Sequence, residues 1–223
     1  MDGPSAIPTE TVDSGGRLLA VQLLSPAFPT GAFAYAQGLE WAMDTGAVQD
    51  GASLARWIGD VLEHGAGWSD AVILSLSLRP EADHAALDDL ARALCLTGER
   101  LTETLEQGAA FARVAAVLTG TPETPTALPV AVGRACAGLG LPRAEIIGLY
   151  LQGQVLALVQ AAVRFLPLGQ TEGQRVLAGL SPLILQLALR AETADEADLG
   201  GCAVGAEIAQ ARHECMETRI FRT

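Results

Sequence analysis

Ile146-Ile147-Gly148-Leu149-Tyr150-Leu151-Gln152-Gly153-Gln154-Val155-Leu156-Ala157-Leu158-Val159-Gln160-Ala161-Ala162-Val163 lies within the longest apolar stretch of the chain, Arg143 to Leu166. Its length suits a membrane-spanning helix. Its composition does not. Gln152, Gln154 and Gln160 would each need a partner in lipid, and Arg164 follows at once. A helix buried at the centre of a soluble bundle fits better, so a central buried helix is expected here.

Working outward, the neighbouring segments repeat a helical period. Leu54, Trp57, Ile58, Val61 and Leu62 share a face between Ser53 and Gly65, with Ser53 as candidate N-cap. Ser69–Leu78 is apolar on nearly every side and stops before Pro80. Further helices are expected over Arg17–Leu24, Phe33–Asp44, Glu81–Leu96, Glu99–Leu118, Val130–Ala137, Arg175–Ala191 and Cys202–Met216. Gly120–Pro129 reads as a loop and Glu192–Asp198 as an acidic one. β-Branched residues rarely alternate with polar ones, so strand signals are nearly absent. The fold class expected is all-α, a single-domain multi-helix bundle.

A chain of 223 residues suits one domain. A domain of this size buries roughly 70 % of its unfolded surface, enough to fold without disulfides or metal. Net charge is −12 and all fourteen basic residues are Arg. The acidic balance argues against nucleic acid and anionic membranes as partners. The absence of Lys excludes Schiff-base chemistry and a Walker-type phosphate loop. Cys95, Cys136, Cys202 and Cys215 form no Cys-x-x-Cys pair and read as reduced thiols of a cytoplasmic protein. Residues 1–16 show no apolar period and no signal-peptide pattern, and read as a disordered lead-in. The helical domain is then expected over 17–216, with 217–223 as a C-terminal arm.

Candidate chemistry is sparse. His213-Glu214-Cys215-Met216-Glu217 resembles a truncated zincin motif with Glu217 in place of the second His. On a helix His213 and Glu217 would share a face, which is the basis for an alternative reading as a small metal-dependent hydrolase. No third ligand is identifiable. Gly138-x-Gly140 lacks a preceding strand and a third Gly, so a dinucleotide site is not expected. His64, His84 and His213 suggest no triad. The abundant Asp and Glu lie on polar faces or in loops, where solvation is the default. No catalytic residue, metal site or cofactor is expected.

Two segments stand out. Ser25-Pro26-Ala27-Phe28-Pro29-Thr30-Gly31-Ala32-Phe33-Ala34-Tyr35-Ala36-Gln37-Gly38-Leu39-Glu40-Trp41 is a proline-fixed elbow loaded with aromatics in a chain only 4 % aromatic. It reads either as a recognition surface or as a loop that plugs the core. The acidic chain also ends in Arg219-Ile220-Phe221-Arg222-Thr223, a set suited to anchoring on a partner, against the plainer reading of a frayed tail.

Three segments in order resemble the UreF family of urease accessory proteins. They are Ser25-Pro26-x-x-Pro29-x-Gly31-x-Phe33-x-Tyr35 with Gly38-Leu39-Glu40; Ala161–Gln170 with Gly173-Gln174; and His213-Glu214 with Thr218-Arg219-Ile220-Phe221-Arg222. The resemblance implies an all-α, cytoplasmic, homodimeric, non-enzymatic protein. It implies binding to a UreD/UreH-type accessory protein and recruitment of the GTPase UreG, for delivery of nickel to apo-urease. It implies partner-binding roles for Tyr35, Glu40, His213, Glu214, Arg219, Phe221 and Arg222, with the arm becoming ordered on the partner. Glu103-Thr104 and Gly108 look like the family's conserved helix, and Leu105, Ala36 and Thr223 depart mildly from its pattern. Phe33 and Trp41 are expected to pack inward. A helical adaptor with other partners is the remaining alternative.

Overall fold

In a computed structural model that describes residues 14–223, the chain forms ten α-helices and two short 3₁₀ turns, and no strand among the described residues. The helices are α1 (Ser14–Leu23), α2 (Leu39–Asp44), α3 (Gly51–His64), α4 (Ala66–Ser77) and α5 (His84–Ala93). There follow α6 (Gly98–Thr119), α7 (Leu128–Cys136), α8 (Arg143–Phe165), α9 (Gln170–Thr193) and α10 (Val204–His213). The 3₁₀ turns are Ala32–Ala34 and Glu196–Asp198. The all-α architecture expected from the hydrophobic period is therefore present. The lead-in expected over 1–16 lies outside the described residues up to residue 13, while Ser14 to Gly16 open α1.

The helix at the centre is α4. From Asp70 to Ser77 every residue is buried, and α4 packs against α3, α5, α7, α8 and α9. The expectation placed the central helix at Arg143–Leu166, and here the structure differs. Helix α8 buries one side through Ile147, Leu151, Val155, Leu158 and Ala162, and leaves Gln152 exposed. Its partner is α9, laid against it as the most extensive helix pair. Both have the length and mean hydropathy (1.6 and 1.2) to cross a membrane. A half of the α8 window and a third of the α9 window are covered by the bundle itself. Gln154 finds its partner in Asp70 of α4, at 2.9 Å.

Local chemistry sets the ends. Asp50, not Ser53, caps α3: its carboxylate accepts the Ser53 amide at 2.8 Å, and the Ser53 hydroxyl accepts the Asp50 amide at 3.0 Å. Thr97 caps α6, accepting the Arg100 amide at 3.2 Å, and Gly120 ends it with φ of 72°. Pro182 sits inside α9 on the solvent side, where its missing donor is tolerated. The helix expected over Phe33–Asp44 is interrupted, because Gln37 and Gly38 both take positive φ, 52° and 75°. Only Leu39–Asp44 is helical beyond the short turn.

The loop before α7 is drawn tightly onto α5 and α6. Asp88 accepts the Ala127 amide at 2.6 Å and Thr104 accepts the Leu128 amide at 3.1 Å. A Cβ at Gly108 would lie 1.9 Å from the Thr126 carbonyl oxygen. Gly108→Ala must therefore push backbone apart, and is expected to destabilise by about 2 kcal/mol or more. Gly179, with nothing near its Cβ direction, is exposed on α9. Gly179→Ala should instead stabilise by roughly 0.5–1 kcal/mol. Urea denaturation of the two variants beside the parent checks both signs.

Candidate functional site: the elbow and the C-terminal segment

The elbow turns some of its aromatics into the core and one outward. Phe28 turns into the core and meets Phe111 of α6 with ring centroids 5.2 Å apart. Tyr35, Ala36 and Leu39 are buried. Phe33, expected to pack inward, is 73 % exposed, because the 3₁₀ turn at Ala32–Ala34 carries its side chain outward. Trp41 is half-buried.

Against this elbow lies the end of the chain. The Arg222 amide donates to the Ala34 carbonyl at 2.8 Å, and the Ala36 amide to the Thr223 carbonyl at 3.1 Å. Thr223 Oγ1 accepts the Gln37 amide at 3.2 Å. Phe221 is buried, with the Arg164 guanidinium 4.7 Å above its ring. Arg164 also donates to the Phe33 carbonyl at 2.7 Å. The segment expected to become ordered on a partner is thus seated on its own chain.

Carboxylates do most of the holding, and three of them come from one face of α6. Glu99, Glu103 and Glu106 are spaced at i, i+4 and i+7. Glu99 accepts from Arg219 at 2.6 Å. Thr223 Oγ1 lies 3.4 Å from Glu103 Oε2. Glu106 accepts both guanidinium nitrogens of Arg222, Nη2 at 3.0 Å, and the Tyr35 hydroxyl. The fourth carboxylate, Glu40 of α2, is only 2 % exposed. It accepts the Ile220 amide at 2.7 Å and the Phe221 amide at 2.8 Å. Between Glu40 and Glu99 stands His213, fully buried: Nδ1 is 2.7 Å from Glu99 and Nε2 is 3.1 Å from Glu40.

Protonation follows from these contacts. Arg222, then Tyr35, hold the Glu106 carboxyl below its ordinary range. Tyr35 is pushed well above the ordinary phenol range by burial, then by Glu106. One layer deeper, Arg100 of α6 donates to Asp70 at 2.7 Å, and the Tyr150 hydroxyl and Gln154 amide meet the same oxygen. Burial opposes the Arg100 charge, and Asp70 and Glu103 more than offset it, so its pKa is raised. Gln37 and Gln107 both donate to Glu103, at 3.0 and 3.1 Å. That contact holds Gln37 in the left-handed conformation, which is strained for a residue with a side chain. Gly38 is required beside it: a Cβ there would lie 2.6 Å from the Gln210 amide nitrogen of α10.

Of the residues singled out from sequence, Tyr35, Glu40, His213, Arg219, Phe221 and Arg222 come together in this one constellation. Glu214 joins its edge, accepting the Glu99 amide at 3.1 Å. Tyr35, Glu40, His213 and Phe221 are buried, while Arg219, Ile220 and Arg222 face outward. The pairing of His213 with Glu217 does not form. Helix α10 ends at His213, so the two do not share a helix face, and both ring nitrogens already meet other carboxylates. The sequence reading missed the roles of Glu99 and Glu106 because each acid there looked merely solvated. Their spacing along one helix was the available signal.

Fold and site define an all-α protein whose main polar constellation clamps its own terminus beneath a structured elbow. Known relatives narrow this further. The UreF family profile matches residues 48–181. A protein of Paracoccus denitrificans called urease accessory protein UreF is 61 % identical over 215 residues, covering 96 % of this chain and all of that one. A relative of the same name from Cereibacter sphaeroides is 55 % identical, covering 94 % of this chain and all of its own. One from Roseobacter denitrificans is 45 % identical, over 92 % of this chain and 93 % of its own. The chain belongs to the UreF family.

Two outcomes test the constellation. Glu40→Gln leaves two tail amides and His213 facing a neutral group, and should cost about 3 kcal/mol in urea denaturation and make the terminus sensitive to carboxypeptidase. Arg219→Ala removes a pair whose arginine side chain is 41 % exposed, and should cost about 1 kcal/mol or less. Separately, Glu106 is held by contacts to its charged form, so the stabilisation it supplies is present above 4.5 and is lost as pH falls through its lowered folded value. A ¹³C carboxyl titration should place the Glu106 midpoint below 4.5. A midpoint at or above it would contradict the contact.

Proposed function

We propose that this chain is a non-catalytic accessory protein of urease maturation, which bridges a UreD/UreH-type protein and the GTPase UreG so that nickel, as cargo, reaches apo-urease. The observation that carries this reading is the composite surface made by elbow and C-terminal segment. Phe33 and Ile220 stand 73 % and 70 % exposed, beside the outward arginines Arg219 and Arg222. Large apolar side chains bracketed by arginine are typical anchors of a protein interface. Buried Tyr35, Glu40, His213 and Phe221 set the shape of that surface rather than touching a partner directly. In this setting the chain works in the cytoplasm and takes no cofactor.

Self-association belongs to the same reading. The outer face of α9 exposes Ala178, Pro182, Leu185 and Leu189, the two leucines at 63 % each. No charged residue occurs between Arg175 and Arg190. Two copies of an acidic chain repel each other except across an uncharged surface. This face suits a homodimer contact.

Co-expression with the cognate UreD/UreH-type protein and UreG, followed by size-exclusion chromatography, tests the reading. The parent should co-elute with both. Phe33→Asp with Ile220→Asp should weaken recruitment about tenfold or more while circular dichroism is unchanged. Leu185→Arg with Leu189→Arg should yield a folded monomer. A parent that elutes alone contradicts the proposed function, and unaltered elution of the variants contradicts the assigned surfaces.

A further inference from the structure

A half-open cavity of about 80 Å³ lies among the end of α1, the elbow, α6, α7 and α8. It has room for about five water-sized groups. Pro26 and Ala32 of the elbow and Gly153 and Ala157 of α8 are the members that reach the surface. The buried members are of two kinds. Leu23, Phe111, Val132 and Leu158 give apolar walls. Arg100 and Glu103 give charge, and Gln37 and Gln107 give amides, joined by the half-buried Gln154.

Two features of the polar set point to a ligand. Arg100 meets two carboxylates, Asp70 at 2.7 Å and Glu103 at 3.5 Å, so this buried group carries one negative charge in excess. The glutamines supply the second. Gln37 and Gln107 donate to Glu103 at 3.0 and 3.1 Å, and Gln154 donates to Asp70 at 2.9 Å. A carboxylate can only accept, so each amide must offer its NH₂ there and turn its carbonyl oxygen away. Among the described residues no donor meets these three oxygens. Nor are they sealed in protein: the buried polar side-chain atoms without a partner belong to Trp57, Ser75 and Thr126. The three oxygens open onto the space that their glutamines line.

Free acceptors beside an excess negative charge call for a donor that is itself positive. Apolar walls call for a short hydrocarbon. A primary alkylammonium joins the two, with three N–H donors at the end of a methylene chain. An anion would meet the excess charge, and a neutral alcohol would bring a single donor. A metal ion would gain nothing from the apolar walls. We propose that this cavity binds a primary ammonium on a chain of about four carbons, its nitrogen among the oxygens of Gln37, Gln107 and Gln154 and its methylenes against Leu23, Phe111 and Leu158. The site makes no use of the outward surface of elbow and terminus, so it stands or falls apart from the function proposed above.

The test follows the side-chain amides of Gln37, Gln107 and Gln154 in ¹⁵N–¹H spectra of the full chain as n-butylammonium is added. Their shifts should saturate with a Kd of about 1 mM, the scale for so small a ligand. Methylammonium keeps the charge and lacks the chain, and should bind at least about tenfold more weakly. n-Butanol keeps the chain and lacks the charge, and should also bind at least about tenfold more weakly. Butyrate should not bind. Ala157→Phe fills the mouth and should abolish the saturable shifts with circular dichroism unchanged. Gln154→Leu removes one oxygen and should weaken binding about tenfold, and the ligand series decides the matter if either variant fails to fold. A free amine and a lysine of another chain present the same group, and Nα-acetyl-lysine N-methylamide separates them. Binding of n-butylammonium alone assigns the site to a free amine, and equal binding of both assigns it to a lysine. The proposal is overturned if neither binds, if butyrate, methylammonium or butanol binds as well as n-butylammonium, or if the shifts spread over the acidic surface without saturating.

Discussion

A row of carboxylates on one face of α6 is the constraint on which this structure turns. Glu99, Glu103 and Glu106 each meet a different part of the C-terminal segment, and Glu40 meets its backbone from α2. An acidic row of this kind would repel itself if left bare, and the row is closed by Arg219, His213 and Arg222. The charge is thereby turned from a surface liability into an adhesive. Because Glu40 and His213 are out of water, their contacts are stronger than exposed ion pairs and costlier to break singly. The outer pairs to Arg219 and Arg222 are partly solvated and add register more than stability.

The rest of the fold serves to place that row. Helix α4, buried along its length, supplies Asp70, which fixes Arg100, and Arg100 in turn adjoins Glu103. Gly108 lets the loop before α7 close on α6, which fixes the helix just beyond Glu106. On the other side, the elbow supplies the carbonyls and amides that pair with Arg222 and Thr223, and Gln37 keeps a left-handed conformation to do so. Strain at Gln37, buried carboxylates at Glu40 and Glu103 and an exposed apolar pair at the rim all gather within one region. That convergence is why the surface of elbow and terminus, rather than any cleft, is the one proposed for recognition.

The helices were legible in the sequence because their burial has a simple period, and the terminus drew notice because arginine and phenylalanine are out of place at the end of an acidic chain. The less legible features depend on contacts far apart in sequence. Apolar residues at Ile146–Val163 suggested a central helix, yet the shorter α4 fills the centre, since hydropathy records how apolar a segment is and not what covers it. Phe33 was expected inside because aromatic residues usually are; the 3₁₀ turn that carries it outward is set by tertiary hydrogen bonds. Glu40 was expected at a partner surface, and the structure buries it beneath the tail. Glu99 and Glu106 passed as solvated because the groups that claim them lie 71 to 120 residues away.

The account stands or falls on whether the C-terminal segment is part of the folded free chain. Amide hydrogen exchange of the full-length protein near neutral pH, resolved residue by residue, measures this directly. Ile220, Phe221 and Arg222 should exchange at least about a hundredfold more slowly than an unstructured peptide, together with Ala36 and Gln37 of the elbow. Unstructured rates at these five amides, in a protein whose α4 and α8 remain protected, would contradict the account.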